Sequence, residues 1–171
     1  MTQITREHIQ RLSEAIFNGA RLIVAAGEEH VPIIFPFKVF DGVLRGADPI
    51  VLHFSCSADK DKASDFMRHV ISEKICDLVV FVSEAWVATI EAPADLQPGT
   101  VPDVEKLTGQ KSIKDVPGRG ECIAVSYLYE DGSCMEAHLI HRNPNSLERG
   151  ELHPGGVGRF AHTDVMPPTL H

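Results

Sequence analysis

Apolar residues recur every three or four positions at Ile9, Leu12, Ile16, Ala20 and Ile23, which is the spacing of one face of an α-helix. Thr5 is a suitable N-cap, Glu7 suits the first turn, and Gly27 supplies a stop. Arg6, Gln10, Glu14 and Arg21 form the opposite, polar face. A second helical stripe, Ala63, Phe66, Met67, Val70, Ile71 and Ile75, follows the alternative caps Ser57 and Asp59.

Between these helices the period changes to two. Ile33, Phe35, Phe37 and Val39 alternate with Pro32, Pro36 and Lys38, so residues 31–40 read as a strand. Its two prolines predict an edge or irregular position, because proline cannot donate to a ladder. Asp41-Gly42 and residues 46–49 carry turn chemistry, and residues 50–56 read as a second, antiparallel strand. Residues 78–82, Leu-Val-Val-Phe-Val, are apolar without alternation, as expected of a central strand covered on both faces. Ser83 and Glu84 interrupt that run, and Trp86, the only tryptophan, falls on the same face as Glu84.

Residues 92–119 break every period with proline and glycine and read as a long loop that is functional, mobile or merely connecting, or else hides a short helix around Val104 to Leu107. Two further runs, 122–130 and 133–142, flank Asp131-Gly132, a preferred pair for a two-residue hairpin turn. That turn would set Tyr129 opposite Cys134, Tyr127 opposite Glu136, Val125 opposite His138 and Ile123 opposite Ile140. The other face carries Cys122, Ala124, Ser126, Leu128, Met135, Ala137 and Leu139, small and apolar enough for close packing by a helix. Residues 143–171, rich in Pro, Gly and His, read as a loosely held tail. The expected fold is α+β: one domain over residues 1–142, with a mainly antiparallel five-stranded sheet, two amphipathic helices on one face, and the order α-β-β-α-β-β-β.

Composition narrows the function classes. The net charge of -8 disfavours a phosphate-binding surface, so no nucleic acid is expected. It leaves open an acidic protein that binds a basic partner, although the acidic residues form no long runs. Cys56, Cys76, Cys122 and Cys134 show no zinc spacing and read as reduced thiols of a cytoplasmic protein. No leader and no membrane span are expected from the hydropathy.

The chemical candidates are Glu84, Glu136 and His138. Glu136 and His138 lie two apart on one strand, hence on one face, which suits two metal ligands or an acid and base pair. His141 points the other way, so a third ligand would have to come from His153, His162 or Glu84. The bland reading makes Glu136 and His138 solvated or locally paired residues on the outward face of the hairpin. Glu84 draws attention because a carboxylate in a central strand costs several kcal/mol unless paired; leaving the core to reach water or a cation would remove that cost. Cys56 with nearby His53 offers a thin nucleophile. Pro117-Gly118-Arg119-Gly120 precedes a strand rather than a helix, the wrong order for a phosphate cradle.

Val-Val-Phe-Val-Ser-Glu-Ala-Trp at 79–86, then a Pro-rich gap, then Glu-Cys-Ile-Ala-Val at 121–125 and a hairpin, resembles uncharacterised bacterial and phage-associated small α+β proteins. The resemblance spans residues 59–142. It implies an accessory protein and carries no activity, cofactor or site residue.

The leading expectation is therefore a non-catalytic accessory or binding protein without a cofactor. A homodimer or a protein partner would use an exposed sheet face around Trp86, Tyr127, Tyr129 and Ile140. The alternative from a different class is a divalent-metal-dependent hydrolase built on Glu136 and His138 and assisted by Glu84.

Overall fold

The first apolar stripe forms helix α1 (Arg6–Ala25) in the computed structural model, which describes residues 4–88 and 103–155. Thr5 caps it as expected: its Oγ1 accepts from the His8 amide at 3.2 Å, and His8 Nδ1 accepts from the Thr5 amide. The helix closes at Gly27, whose φ of 76° lets the Gly27 and Glu28 amides turn back to the Val24 and Ile23 carbonyls.

Eight strands then build one antiparallel sheet, a curled half-barrel. They are β1 (Ile33–Phe40), β2 (Val43–Gly46), β3 (Ile50–Val51), β4 (Leu78–Val87), β5 (Gly120–Tyr129), β6 (Gly132–Arg142), β7 (Asn145–Glu148) and β8 (His153–Pro154). The spatial order is β2-β1-β4-β5-β6-β7, with β3 also on β1 and β8 also on β6. Helix α2 (Ser57–Ser72) links β3 to β4, and α3 (Val104–Thr108) precedes a 3-10 turn (Ile113–Asp115) and β5.

The expected five-stranded sheet with two helices is thus corrected to eight strands and three helices among the described residues. Three local causes account for the difference. Asp41-Gly42, both at positive φ (50° and 76°), form a two-residue hairpin turn, so Val43 returns as β2 opposite Phe40. The segment read as one strand over 50–56 pairs only at Ile50 and Val51. The segment read as a tail adds β7, after a two-residue turn at Asn143-Pro144, and then β8. Residues 156–171 of that tail, and residues 92–102 of the long loop, lie outside the described residues.

β1 is not an edge, since β4 lies on one side and β2 with β3 on the other. It tolerates Pro36 because the outer neighbours are interrupted there. β2 pairs only from Phe37 onward and β3 only at Ile33 and Ile34, while the Pro36 carbonyl accepts from the Ala47 amide between them.

Residues 78–82 are fully covered, as their unbroken apolar run requires. The two helices cover opposite faces, not one. Leu78, Val80 and Val82 join Ile123, Val125 and Tyr127 under Ile9, Ala20 and Val24 of α1. Val79, Phe81, Ile34 and Leu128 pack under Met67, Val70 and Ile71 of α2. The hairpin register also shifts: Tyr129 pairs with Gly132, so Glu130-Asp131 make the turn and Tyr127 faces Cys134, Val125 faces Glu136 and Ile123 faces His138. Moving the turn by one residue offsets every pair by two, which keeps each side chain on its expected face.

Candidate functional site

Glu136 and His138 do share a face, but it is the one beneath α1. Their exposures are 1% and 0%, which corrects the outward face expected for them, while the local pairing expected as its alternative is seen in their approach to each other. The Glu136 carboxylate accepts from Ser13 of α1 at 2.7 Å and from the Tyr127 hydroxyl at 2.6 Å. Arg149, its guanidinium 5.4 Å above the Phe17 ring, donates to Ser13 Oγ at 3.3 Å. His138 Nδ1 accepts from the Gly150 amide at 3.0 Å. A backbone amide can only donate, so the imidazole proton sits on Nε2. That nitrogen faces Glu136 Oε1 at 3.6 Å, beyond hydrogen-bond length, and has no other partner among the described residues.

The electrostatics follow from this packing. Burial pushes the Glu136 carboxyl up, but His138, Tyr127 and Ser13 around it outweigh that penalty and hold it below its ordinary 4.5. Burial, reinforced by the Glu136 charge, pushes the Tyr127 phenol far above its ordinary value and the Cys134 thiol up to about 12. Apart from His138 Nε2, this cluster satisfies its buried polar groups with one another and with the Gly150 amide and Arg149. It ties α1 to the sheet and opens onto no described cavity.

Ser13, Arg149 and Gly150 were not anticipated from sequence. Ser13 carries a legible signal, because it falls four residues after Ile9 and four before Phe17, on the stripe that should be apolar. Arg149 and Gly150 carry none, since their roles depend on the return of β7 beside β6.

Glu84 does not converge with this pair. It stands opposite Ile123, which stands opposite His138, so two strand spacings of roughly 10 Å in total and a fully buried isoleucine intervene. Glu84 Oε1 accepts from the His30 amide at 2.9 Å, and Oε2 lies 3.7 Å from Arg142, which also pairs with Glu121. Among the described residues no group of three or more His, Cys, Asp or Glu could hold a metal ion. His141 pairs with Glu148 at 2.8 Å, His153 lies in β8, and His162 is outside the described residues. Cys56 caps α2 beside the Asp59 carboxylate, and among the described residues no hydrogen bond joins it to His53.

The residues expected at an exposed sheet face divide. Tyr127 and Ile140 are buried under α1 and Tyr129 packs against the same core, so that face is already covered within the chain. Trp86 is 44% exposed, with the Arg119 guanidinium 5.0 Å over its ring.

Trp86 and Glu84 both stand on the rim of the largest described cavity, about 720 Å³, on the α2 side of the sheet. Its floor consists of Ala85, Cys122, Ala124, Ser126 and Ala137, the small face of the hairpin. Phe54 and Phe81, with ring centroids 6.4 Å apart, form one wall. Lys60, 5.9 Å over Phe54, and the Arg142 cluster mark its charged margins. α2 packs on Phe81 and Leu128 and stops short of this floor, where Ala85, Ala124 and Ala137 are partly exposed and Cys122 and Ser126 are buried.

No family model, no curated protein and no solved structure matches the chain.

Proposed function

We propose that this is a non-catalytic binding protein that holds a flat, largely apolar organic molecule in the cavity between Phe54 and Trp86. One observation carries the reading: a run of small side chains floors an open cavity of about 720 Å³ at the centre of a sheet otherwise packed with large ones. Small floor residues let a planar ring approach the backbone closely, and Phe54 and Phe81 offer aromatic surfaces along one wall. The volume lies within the roughly 300–1,000 Å³ range of small-molecule sites. Binding is favoured over catalysis because Glu136 and His138 are sealed under α1 away from this cavity, and Glu84, the one candidate on its rim, is engaged by the His30 amide and Arg142. No helix among the described residues is long and apolar enough to cross a membrane.

Titration with the neutral aromatic probe N-phenyl-naphthylamine, followed by energy transfer from Trp86, tests the proposal. Saturable binding at one equivalent is expected. Ala124→Phe, which fills the floor, is expected to weaken it at least about tenfold, the effect of losing roughly 1.4 kcal/mol of contact. Binding that survives the filled floor, or no binding at all, would overturn the reading.

A further inference from the structure

On the other flank of α2, between the helix and the β1–β2 hairpin, lies a second opening of about 420 Å³. Ile34 and Val79 form its floor and Val70 one wall. Phe40, Phe66 and Ile75 line it while remaining 49%, 43% and 59% exposed. Grouped large hydrophobics left in water mark an interaction site more often than isolated ones do.

Two charged side chains line this opening, Lys38 and Arg45, and both are cations in a chain of net charge -8. They are direct cross-strand partners in the hairpin. Like charges in that relation destabilise a sheet, and among the described residues no carboxylate forms an ion pair with either of them. Lys38 Nζ donates to the backbone carbonyls of Lys74 and Ile75 at 2.7 and 3.4 Å, and the Arg45 guanidinium lies 5.7 Å over the Phe40 ring. An unneutralised pair of cations beside an apolar opening calls for an occupant that is anionic at one point and apolar elsewhere.

We propose that this opening binds a medium-chain alkyl carboxylate, its chain between α2 and the hairpin and its headgroup against Lys38 and Arg45. The volume favours such a molecule over a docked helix. About 420 Å³ accommodates only about one turn of a helix some 10 Å across.

Calorimetric titration of the full chain with decanoate, below its micelle concentration, tests the assignment. One saturable equivalent is expected, weakening about fourfold for each methylene removed toward octanoate. Arg45→Glu is expected to weaken binding at least tenfold. Lys38→Gln is expected to weaken it less, and thermal melts of both variants check the fold. Decyltrimethylammonium, with the same chain and the opposite charge, is expected not to bind. Ala124→Phe, which fills the cavity beside Trp86, is expected to leave decanoate binding intact. The assignment is overturned by equal binding of the cationic amphiphile, by unsaturable uptake, by unchanged affinity in both charge variants, or by loss of binding in Ala124→Phe. It is equally overturned if the ligand-free protein sediments as a dimer that Arg45→Glu dissociates, since a second copy would then cover the opening.

Discussion

Gly150 carries no side chain because none would fit: a Cβ there would stand 1.9 Å from the Ala137 carbonyl oxygen. The close approach brings its amide to His138 Nδ1. Gly150→Ala is therefore expected to cost about 2 kcal/mol or more, seen as an earlier urea midpoint with an unchanged slope; a neutral result would mean that the β7 segment can retreat freely. Glu136 makes a different prediction. Its folded carboxyl is held below its ordinary 4.5, so ionisation favours folding: the contribution is complete above that value and is lost as pH falls through the folded one. Glu136→Gln should lower stability near neutral pH by about 1–3 kcal/mol and flatten the acid limb. Unfolding measured from about pH 3 to pH 7 would reject this if the limb keeps its wild-type steepness. Alternation along β6 was enough to set Glu136 and His138 on one face. It could not say which face α1 would cover, because that depends on contacts more than a hundred residues away, such as Ser13 to Glu136 with a separation of 123.

At the scale of elements, α1 is held to the sheet by polar as well as apolar contacts. Ser13 from the helix and Tyr127 from β5 donate to the same carboxylate on β6. Ser13→Ala and Tyr127→Phe are each expected to destabilise by roughly 1.5–3 kcal/mol. Because they share Glu136, the double variant should depart from additivity by at least about 0.5 kcal/mol; strictly additive losses by denaturant unfolding would separate the two contacts. Both long helices were legible, α1 down to Thr5 as cap and Gly27 as stop, since those signals are local, whereas the N-cap of α2 is Cys56 and neither Ser57 nor Asp59. The β5–β6 hairpin was legible in face but not in register. Gly132, taken for a turn residue, instead begins β6 against the Tyr129 ring. β7 and β8 are too short to show a period of their own and exist because β6 offers them an edge.

For the molecule as a whole, the four cysteines report on cooperative opening. Cys56 is exposed, whereas burial pushes the Cys76 and Cys122 thiols up to about 11 and the Cys134 thiol to about 12. Near pH 8 a thiol-disulfide reagent is expected to modify Cys56 alone at a rapid rate, the other three reacting only as the fold opens. Fast modification of a second cysteine in the native state would locate a region that opens independently. The three buried cysteines lie on different faces, Cys134 in the α1 core and Cys76 in the α2 core, so they sample both layers. That there are two layers was the least legible property. The unbroken apolar run of residues 78–82 demanded cover on both faces, yet nothing local assigned one helix to each.

The reach from Ser13 to Glu136 and Arg149 also orders events during synthesis. α1 leaves the ribosome before β5, β6 and β7, although Ile9, Ala20 and Val24 need a surface that includes residues of all three. Until the chain has been made as far as Gly150, that apolar face has no complete partner and is open to wrong ones. A helix synthesised well before its partners docks only once they have been made.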